Sequence, residues 1–262
     1  MSAERAEKTA NFKVAFLTVA TIFIMGYVNG LAMLSTHLSL PVTPQTGNVL
    51  WMGINTAFGE WRYLLENLGL FFGFMGGAVF ALFTQNLFKN KTNQFFYNWS
   101  VFVVPTILYP ILLHYTVAAW VGFTVIGFAS GAALGFFRKI YHMDQINNAM
   151  ATGNVRFLGL HFALAFLKKD TRGNKKEIQT FLIFLTCVLA FAGGAFLYAM
   201  MYRLDYALAL DFPLSLNYYI YDPHRGGVLG FAATYNTIRI IILAVICVIP
   251  YFFFPKTPKV AK

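Results

Sequence analysis

The chain has 262 residues, of which 58% are hydrophobic, 18% aromatic and only 11% charged. Soluble domains carry roughly a quarter of their residues as charges, so this composition excludes an ordinary soluble enzyme and predicts an all-α polytopic membrane bundle. The formal net charge of +10 does not indicate a nucleic-acid partner, because the basic residues sit in short segments between apolar runs, where they orient membrane spans.

A tail over 1–13, carrying Arg5, Lys8 and Lys13, leads into a first span over about 14–36. That run is too long for a signal-peptide core and lacks a small-residue cleavage pattern, so it is expected to stay as a membrane helix. It carries Gly26 and Gly30, with Asn29 about two thirds of the way along. After Pro41 and Pro44 comes the phrase Thr46-Gly47-Asn48-Val49-Leu50-Trp51-Met52-Gly53, which opens a short apolar segment over 46–59. At 1.5 Å per residue this segment covers roughly 21 Å, short of a hydrocarbon core roughly 30 Å thick. Spans over about 67–88 and 95–114 complete a first membrane repeat, 14–116.

The second repeat, 117–255, follows the same plan. A span over about 117–137 carries Gly131 and Gly135 at the spacing of Gly26 and Gly30. The phrase then returns as Thr152-Gly153-Asn154-Val155-Arg156-Phe157-Leu158-Gly159 and opens a second short segment, 152–167. The basic stretch Lys168–Lys176 leads to a span over about 178–202, whose Gly193-Gly194-Ala195 matches Gly76-Gly77-Ala78 of the first half. A segment over 203–225 with Asp205, Asp211, Asp222 and several tyrosines reads as an aromatic interface lid. The last span covers about 229–254, and 256–262 is a basic tail.

The plan therefore has six full crossings and two short segments that are either re-entrant half-helices or further crossings. Charge favours re-entry. With a cytoplasmic N-terminus and non-crossing short segments, Lys89, Lys91, Arg138, Lys139, the Lys168–Lys176 cluster and both tails share the cytoplasmic face. Only Arg62, Arg203 and Arg225 are left outside. Eight crossings would move Lys89, Lys91, Arg138 and Lys139 outward and weaken the asymmetry. Three crossings per half would make the halves opposite in direction.

The sequence Gly26-Tyr27-Val28-Asn29-Gly30, followed by Gln45-Thr46-Gly47-Asn48-Val49, the small-residue helix Gly127–Gly135 and the second Thr-Gly-Asn, resembles the YoaK-like family of bacterial membrane proteins over about 14–254. The resemblance implies a six-span protein of the bacterial plasma membrane, of a family described as small-molecule transporters, and names no substrate; the charge pattern puts both termini on the cytoplasmic side. Members commonly carry Asp where this chain has Asn29, so a family carboxylate at that position is absent here.

Interrupted helices at matching places in two halves point to a transporter's binding site. Thr46, Gly47 and Asn48, with Thr152, Gly153 and Asn154, stand where helix starts present free amides and a positive dipole end, suited to an anion or a carbonyl oxygen. The same residues could equally satisfy the backbone of the broken helices. Arg156 replaces Leu50 of the first copy; it either lines a pathway or snorkels to the interface. Arg239 lies inside the last span, near Tyr235 and Asn236, or at the outer end of a shorter helix. Asn29 joins the substrate-binding set mainly through the family motif.

The expected partners are a small-molecule solute and membrane lipid, with no nucleic acid; self-association is compatible with this plan. No cofactor is expected, because the chain shows no nucleotide-binding glycine loop, zinc spacing or hydrolase elbow. Cys187 and Cys247 lie in apolar runs as buried thiols, and His37, His142 and His161 read as interfacial or structural. A non-enzymatic transporter, secondary or channel-like, is the expectation. The alternatives are a membrane-embedded lipid-modifying enzyme and a non-transporting scaffold subunit.

Overall fold

A computed structural model describes residues 3–35, 45–114, 119–137, 151–168, 170, 172–211 and 232–252. Eight α-helices account for nearly all of them: α1 (Ala3–Ser35), α2 (Gln45–Ala57), α3 (Trp61–Thr84), α4 (Lys91–His114), α5 (Ala119–Phe136), α6 (Ala151–Phe162), α7 (Lys175–Asp211) and α8 (Ala232–Phe252). Among the described residues there is no strand. Five stretches are long and apolar enough to cross a membrane: Ala15–Leu34, Trp61–Thr84, Asn93–Leu112, Ala119–Phe136 and Lys175–Tyr202. The chain is a multi-pass helical bundle. The described part of the last span, Arg239–Phe252, is a shorter apolar helix.

Several boundaries differ from the sequence reading: α1 already begins at Ala3, within the expected tail, and α4 at Lys91, and two more differences bear on charged residues. α3 begins at Trp61, so Arg62 and Glu66 lie on the helix rather than before it. Their charges sit one turn apart and pair at 3.4 Å, which lets a helix start among residues that hydropathy places outside a span. α7 continues to Asp211, so Asp205 and Asp211 belong to helix rather than to the expected lid, and 212–231 lies outside the described residues.

Small residues set the packing. The largest interface joins α3 to α5, and the next joins α1 to α7. A methyl group added at Gly73 or Gly77 on α3 would overlap the backbone carbonyls of Thr124 or Phe128, and one at Gly131 on α5 would overlap the carbonyl of Phe74. On the other pair, a methyl at Gly26 would overlap the Phe191 carbonyl and one at Gly194 the Phe23 carbonyl. Helices in a lipid setting associate by this close approach, because lipid tails solvate apolar side chains as well as a neighbouring helix does.

The two interfaces correspond residue for residue. Gly26 meets Phe191 as Gly131 meets Phe74; Gly30 meets Ala195 and Tyr198 as Gly135 meets Ala78 and Ala81; Gly194 meets Phe23 and Tyr27 as Gly77 meets Phe128 and Ala132. Adding 105 to an α1 number gives its α5 counterpart, and adding 117 to an α3 number gives its α7 counterpart. Met25 and Ser130 are such counterparts, and they touch each other, Ser130 Oγ lying 3.4 Å from Met25 Sδ. The exchange of halves therefore turns about a point between these two residues.

The remaining contacts fix directions. Trp99 and Ser100, near the start of α4, meet the end of α8: the Trp99 indole N–H donates to the Cys247 carbonyl at 2.9 Å, and Ser100 Oγ lies 2.9 Å from the Tyr251 hydroxyl. From their contact at Met25 and Ser130, α5 runs forward to Phe137, beside Trp99, whereas α1 runs backward to Phe16 and Val19, beside Ile246 and Pro250 at the same end of α8. α1 and α5 are therefore antiparallel, and so are α4 and α8, which run counter to α5 and α1. α4 contains Pro105 and Pro110, each lacking the amide that would bond one turn back. Its two ends are held by Trp99 against Phe137 and by Tyr109 against Phe123, with ring centroids 5.5 and 6.0 Å apart.

Candidate functional site

The two short helices are built alike. α2 has 13 residues and α6 has 12, so each rises roughly 18–20 Å. α2 packs mainly on α3, and α6 on α7. Asn48 and Asn154 are 0% and 1% exposed, while the next residues, Val49 and Val155, are 51% and 50% exposed. The phrase therefore turns its asparagines into the protein in both copies and its valines outward. Side chains of Thr46, Gly47 and Thr152 lie outside the described residues, although their backbones form the second and third positions of α2 and the second of α6. Gly153 is half-buried.

α6 runs antiparallel to α7. His161 Nδ1 lies 2.7 Å from Glu177 Oε2, and the His161 and Phe157 rings stack on Phe184 at 5.7 and 5.3 Å. Continuing along α6 toward its start brings Asn154 to about the middle of α7. His161 is a staple between α6 and α7. A carboxylate sixteen residues away in sequence was invisible to a search for local spacing.

Arg156 is exposed. It stands two residues, or about 200° round the helix, from Asn154, and does not share its buried face. Of the two readings left open by the sequence, this placement favours the interface.

Among the described residues Arg239 is the buried cation. It is 7% exposed, eight positions into α8. Its Nη1 donates to the Tyr198 hydroxyl at 2.9 Å, and its guanidinium carbon lies 5.3 Å from the Tyr198 ring and 5.2 Å from the Tyr202 ring. The Tyr27 hydroxyl donates to the Arg239 backbone carbonyl at 3.2 Å, and the Tyr27 and Tyr198 rings meet edge to face at 5.2 Å. Tyrosine faces stabilise a cation through their quadrupole, more so when water is excluded. Arg239 thus joins α1, α7 and α8 through Tyr27, Tyr198 and Tyr202. Tyr235 and Asn236, suggested as its neighbours, lie outside the described side chains.

Asn29 is 4% exposed, and its Nδ2 donates to the Met25 carbonyl of its own helix at 2.7 Å. It lies two residues from Tyr27 on α1, so the family motif brings the Arg239 cluster and Asn29 to one level of the bundle. Sequence reasoning missed Tyr27, Tyr198, Tyr109 and Glu66. Tyr198 and Tyr202 stand four apart, one turn of one helix face, and that pattern was the available signal.

Three further features bound the chemistry. A groove of about 240 Å³ between α1, α7 and α8 is lined by Phe16, Val19, Phe23, Ala190, Ile246 and Pro250 and is almost wholly apolar. Cys187 and Cys247 are buried and not disulfide-bonded. Among the described residues no three His, Cys, Asp or Glu side chains gather as a metal site.

No curated protein and no solved structure matches this chain. A family model does match, over residues 17–218, a stretch that holds both Thr-Gly-Asn phrases, the α3–α5 and α1–α7 crossings, and the tyrosines that face Arg239. The chain belongs to the family described as protein of unknown function DUF1275.

Proposed function

We propose that this protein is a transporter, secondary or channel-like, of a small polar or anionic solute, built as an inverted repeat in which α2 and α6 re-enter the membrane without crossing it. One observation carries the reading: the residue-for-residue exchange of the α1–α7 and α5–α3 interfaces about Met25 and Ser130, with α4 antiparallel to its counterpart α8. Antiparallel counterparts require an odd number of crossings per half, the architecture of many transporters that alternate access around a midplane site. The YoaK-like resemblance implies the same class and a bacterial cell membrane, and the distribution of basic residues favours both termini in the cytoplasm.

Within this reading the solute site lies between the halves. Asn48 and Asn154 supply polar groups at the starts of the re-entrant helices, together with Thr46, Gly47, Thr152 and Gly153. Arg239 supplies the positive charge, and Asn29 is assigned to the site at the level of Tyr27 on α1. A cation at membrane depth costs at least roughly 2.5–3.5 kcal/mol on insertion scales, which is why its default role is in a pathway. The preference for anions rests on Arg239, not on Arg156.

The test is flux in reconstituted vesicles over a panel of small anions, zwitterions and neutral polar solutes. Wild type should carry at least one of them, Arg239→Gln should carry it more slowly by tenfold or more, and Arg156→Leu should match wild type. Absence of flux for every solute would favour a second reading, a non-transporting subunit. That reading draws on the groove between α1, α7 and α8, which offers apolar surface and almost no polar lining.

A further inference from the structure

Glu66 is a carboxylate at the edge of the membrane interior with little to hold it there as an ion. Its side chain is 4% exposed, whereas that of Arg62, its one partner among the described residues, is 81% exposed. Their contact is 3.4 Å, from Arg62 Nε to Glu66 Oε1, longer than the roughly 2.7–2.9 Å of a good charge-assisted bond. A buried carboxylate normally gathers several donors. This one has a single cation that stands almost wholly outside.

Two more buried polar atoms, one on the next residue of α3 and one on α4, have no hydrogen-bond partner among the described residues. Asn67 is fully buried; its Nδ2 donates to the Tyr63 carbonyl at 2.8 Å, but its Oδ1 accepts nothing. Tyr109, also fully buried, has a hydroxyl with no hydrogen bond, and it lies within electrostatic reach of Glu66. Native proteins leave few such atoms, and each calls for an account. Here the account is chemical complementarity. Neutral Glu66 is an O–H donor, and the Asn67 amide oxygen and the Tyr109 oxygen are acceptors. Ionised Glu66 is an acceptor only, and then the Tyr109 O–H and Arg62 are donors.

We infer that Glu66 is a proton-binding site of the membrane interior, loaded and unloaded from the face at which Arg62 stands, with Tyr109 and Asn67 serving its two protonation states. Few titratable side chains surround it. α2 and α5, which pack on α3, bring no titratable side chain among the described residues; α4 brings Tyr109, itself in reach of Tyr198 on α7; and α3 and the turn before it add Arg62, Tyr63 and Glu60. The step is proton exchange alone, between water and one carboxylate oxygen. The inference deepens the transport reading by naming a proton as the coupling ion.

Dicyclohexylcarbodiimide provides the test, since it adds to protonated carboxyls in apolar surroundings and spares ionised ones. The full chain in phosphatidylcholine vesicles is labelled across a pH series and mapped by peptide mass. Wild type should gain one adduct at Glu66, falling by roughly tenfold for each pH unit above its midpoint. Glu66→Gln should gain none there, Glu66→Asp should retain pH-dependent labelling, and Arg62→Ala and Tyr109→Phe should each displace the pH dependence. Protection of Cys187 and Cys247 from maleimide reports that each variant is folded. An absence of adduct at Glu66 in folded wild type, or labelling independent of pH, overturns the inference. Labelling needs no flux: failure of every solute leaves the proton site standing, and intact flux without labelling removes the proton and leaves the transporter.

Discussion

The tandem glycines give the sharpest test of the packing. In each pair one member faces open space or a ring edge and its neighbour faces backbone. Gly76 has nothing within 4 Å and Gly193 has only the Phe23 ring at 3.5 Å, whereas a methyl at Gly77 or Gly194 would overlap the carbonyl of Phe128 or Phe23. A carbonyl in a helix cannot swing aside as a side chain can, so the helices must part. Overpacking of this kind costs about 1–3 kcal/mol, with the rigid obstacle here placing it near 3. Replacing a helical glycine with alanine returns about 1 kcal/mol. Gly77→Ala and Gly194→Ala should therefore each lose about 2 kcal/mol, while Gly76→Ala and Gly193→Ala should be neutral or gain up to about 1 kcal/mol. A contrast of about 3 kcal/mol between adjacent residues is roughly a hundredfold in the unfolding constant. Reversible unfolding in mixed detergent and lipid micelles, followed by tryptophan fluorescence, measures it. Equal effects within a pair, or a large cost at Gly77 without one at Gly194, would refute both the close approach and its repetition in the two halves.

Other expectations follow from single contacts. Trp99→Phe keeps the ring packing against Phe102 and Phe137 but removes the indole donor to the Cys247 carbonyl, and should cost about 0.5–1.5 kcal/mol in the same unfolding assay. A double-mutant cycle of His161→Ala and Glu177→Gln should give a coupling of about 0.5–1 kcal/mol, modest because both side chains are about 20% exposed and water screens them; zero coupling would remove the staple between α6 and α7. Single cysteines at Lys89 and Asp170, in a background lacking Cys187 and Cys247, should react with an impermeant maleimide from the same face of sealed vesicles. Reaction from opposite faces would mean that the short helices cross and that the halves are parallel.

Much of the architecture was legible because it depends on apolar length and on small residues. The repeated phrase, the Gly26/Gly30 and Gly131/Gly135 spacings and the two Gly-Gly-Ala triplets located the helices that pack together. They could not show that α1 meets α7 rather than a helix of its own half, since pairing is decided by which glycine faces which carbonyl. The start of α3 was misplaced because hydropathy rejects Arg62 and Glu66, while an ion pair one turn apart lets a helix hold both. Burial of Asn48 and Asn154 agrees with polar groups turned inward from the short helices. The tyrosines around Arg239 were hidden in a chain so rich in aromatic residues that none stands out, and only the fold selects Tyr27, Tyr198 and Tyr202. Exposure of Arg156 follows from its two-residue offset from Asn154, a geometric fact available before any coordinates.

The two prolines of α4 give that helix an uneven compliance. Val101 and Thr106 lie one turn before Pro105 and Pro110, and their carbonyls receive no amide from those rings, so the helix has two fewer bonds resisting a bend there. One end is anchored through the Trp99 indole to α8, and the other leans on α5 through Tyr109 and Phe123. The helix therefore bends more easily between its prolines than at its two anchored ends.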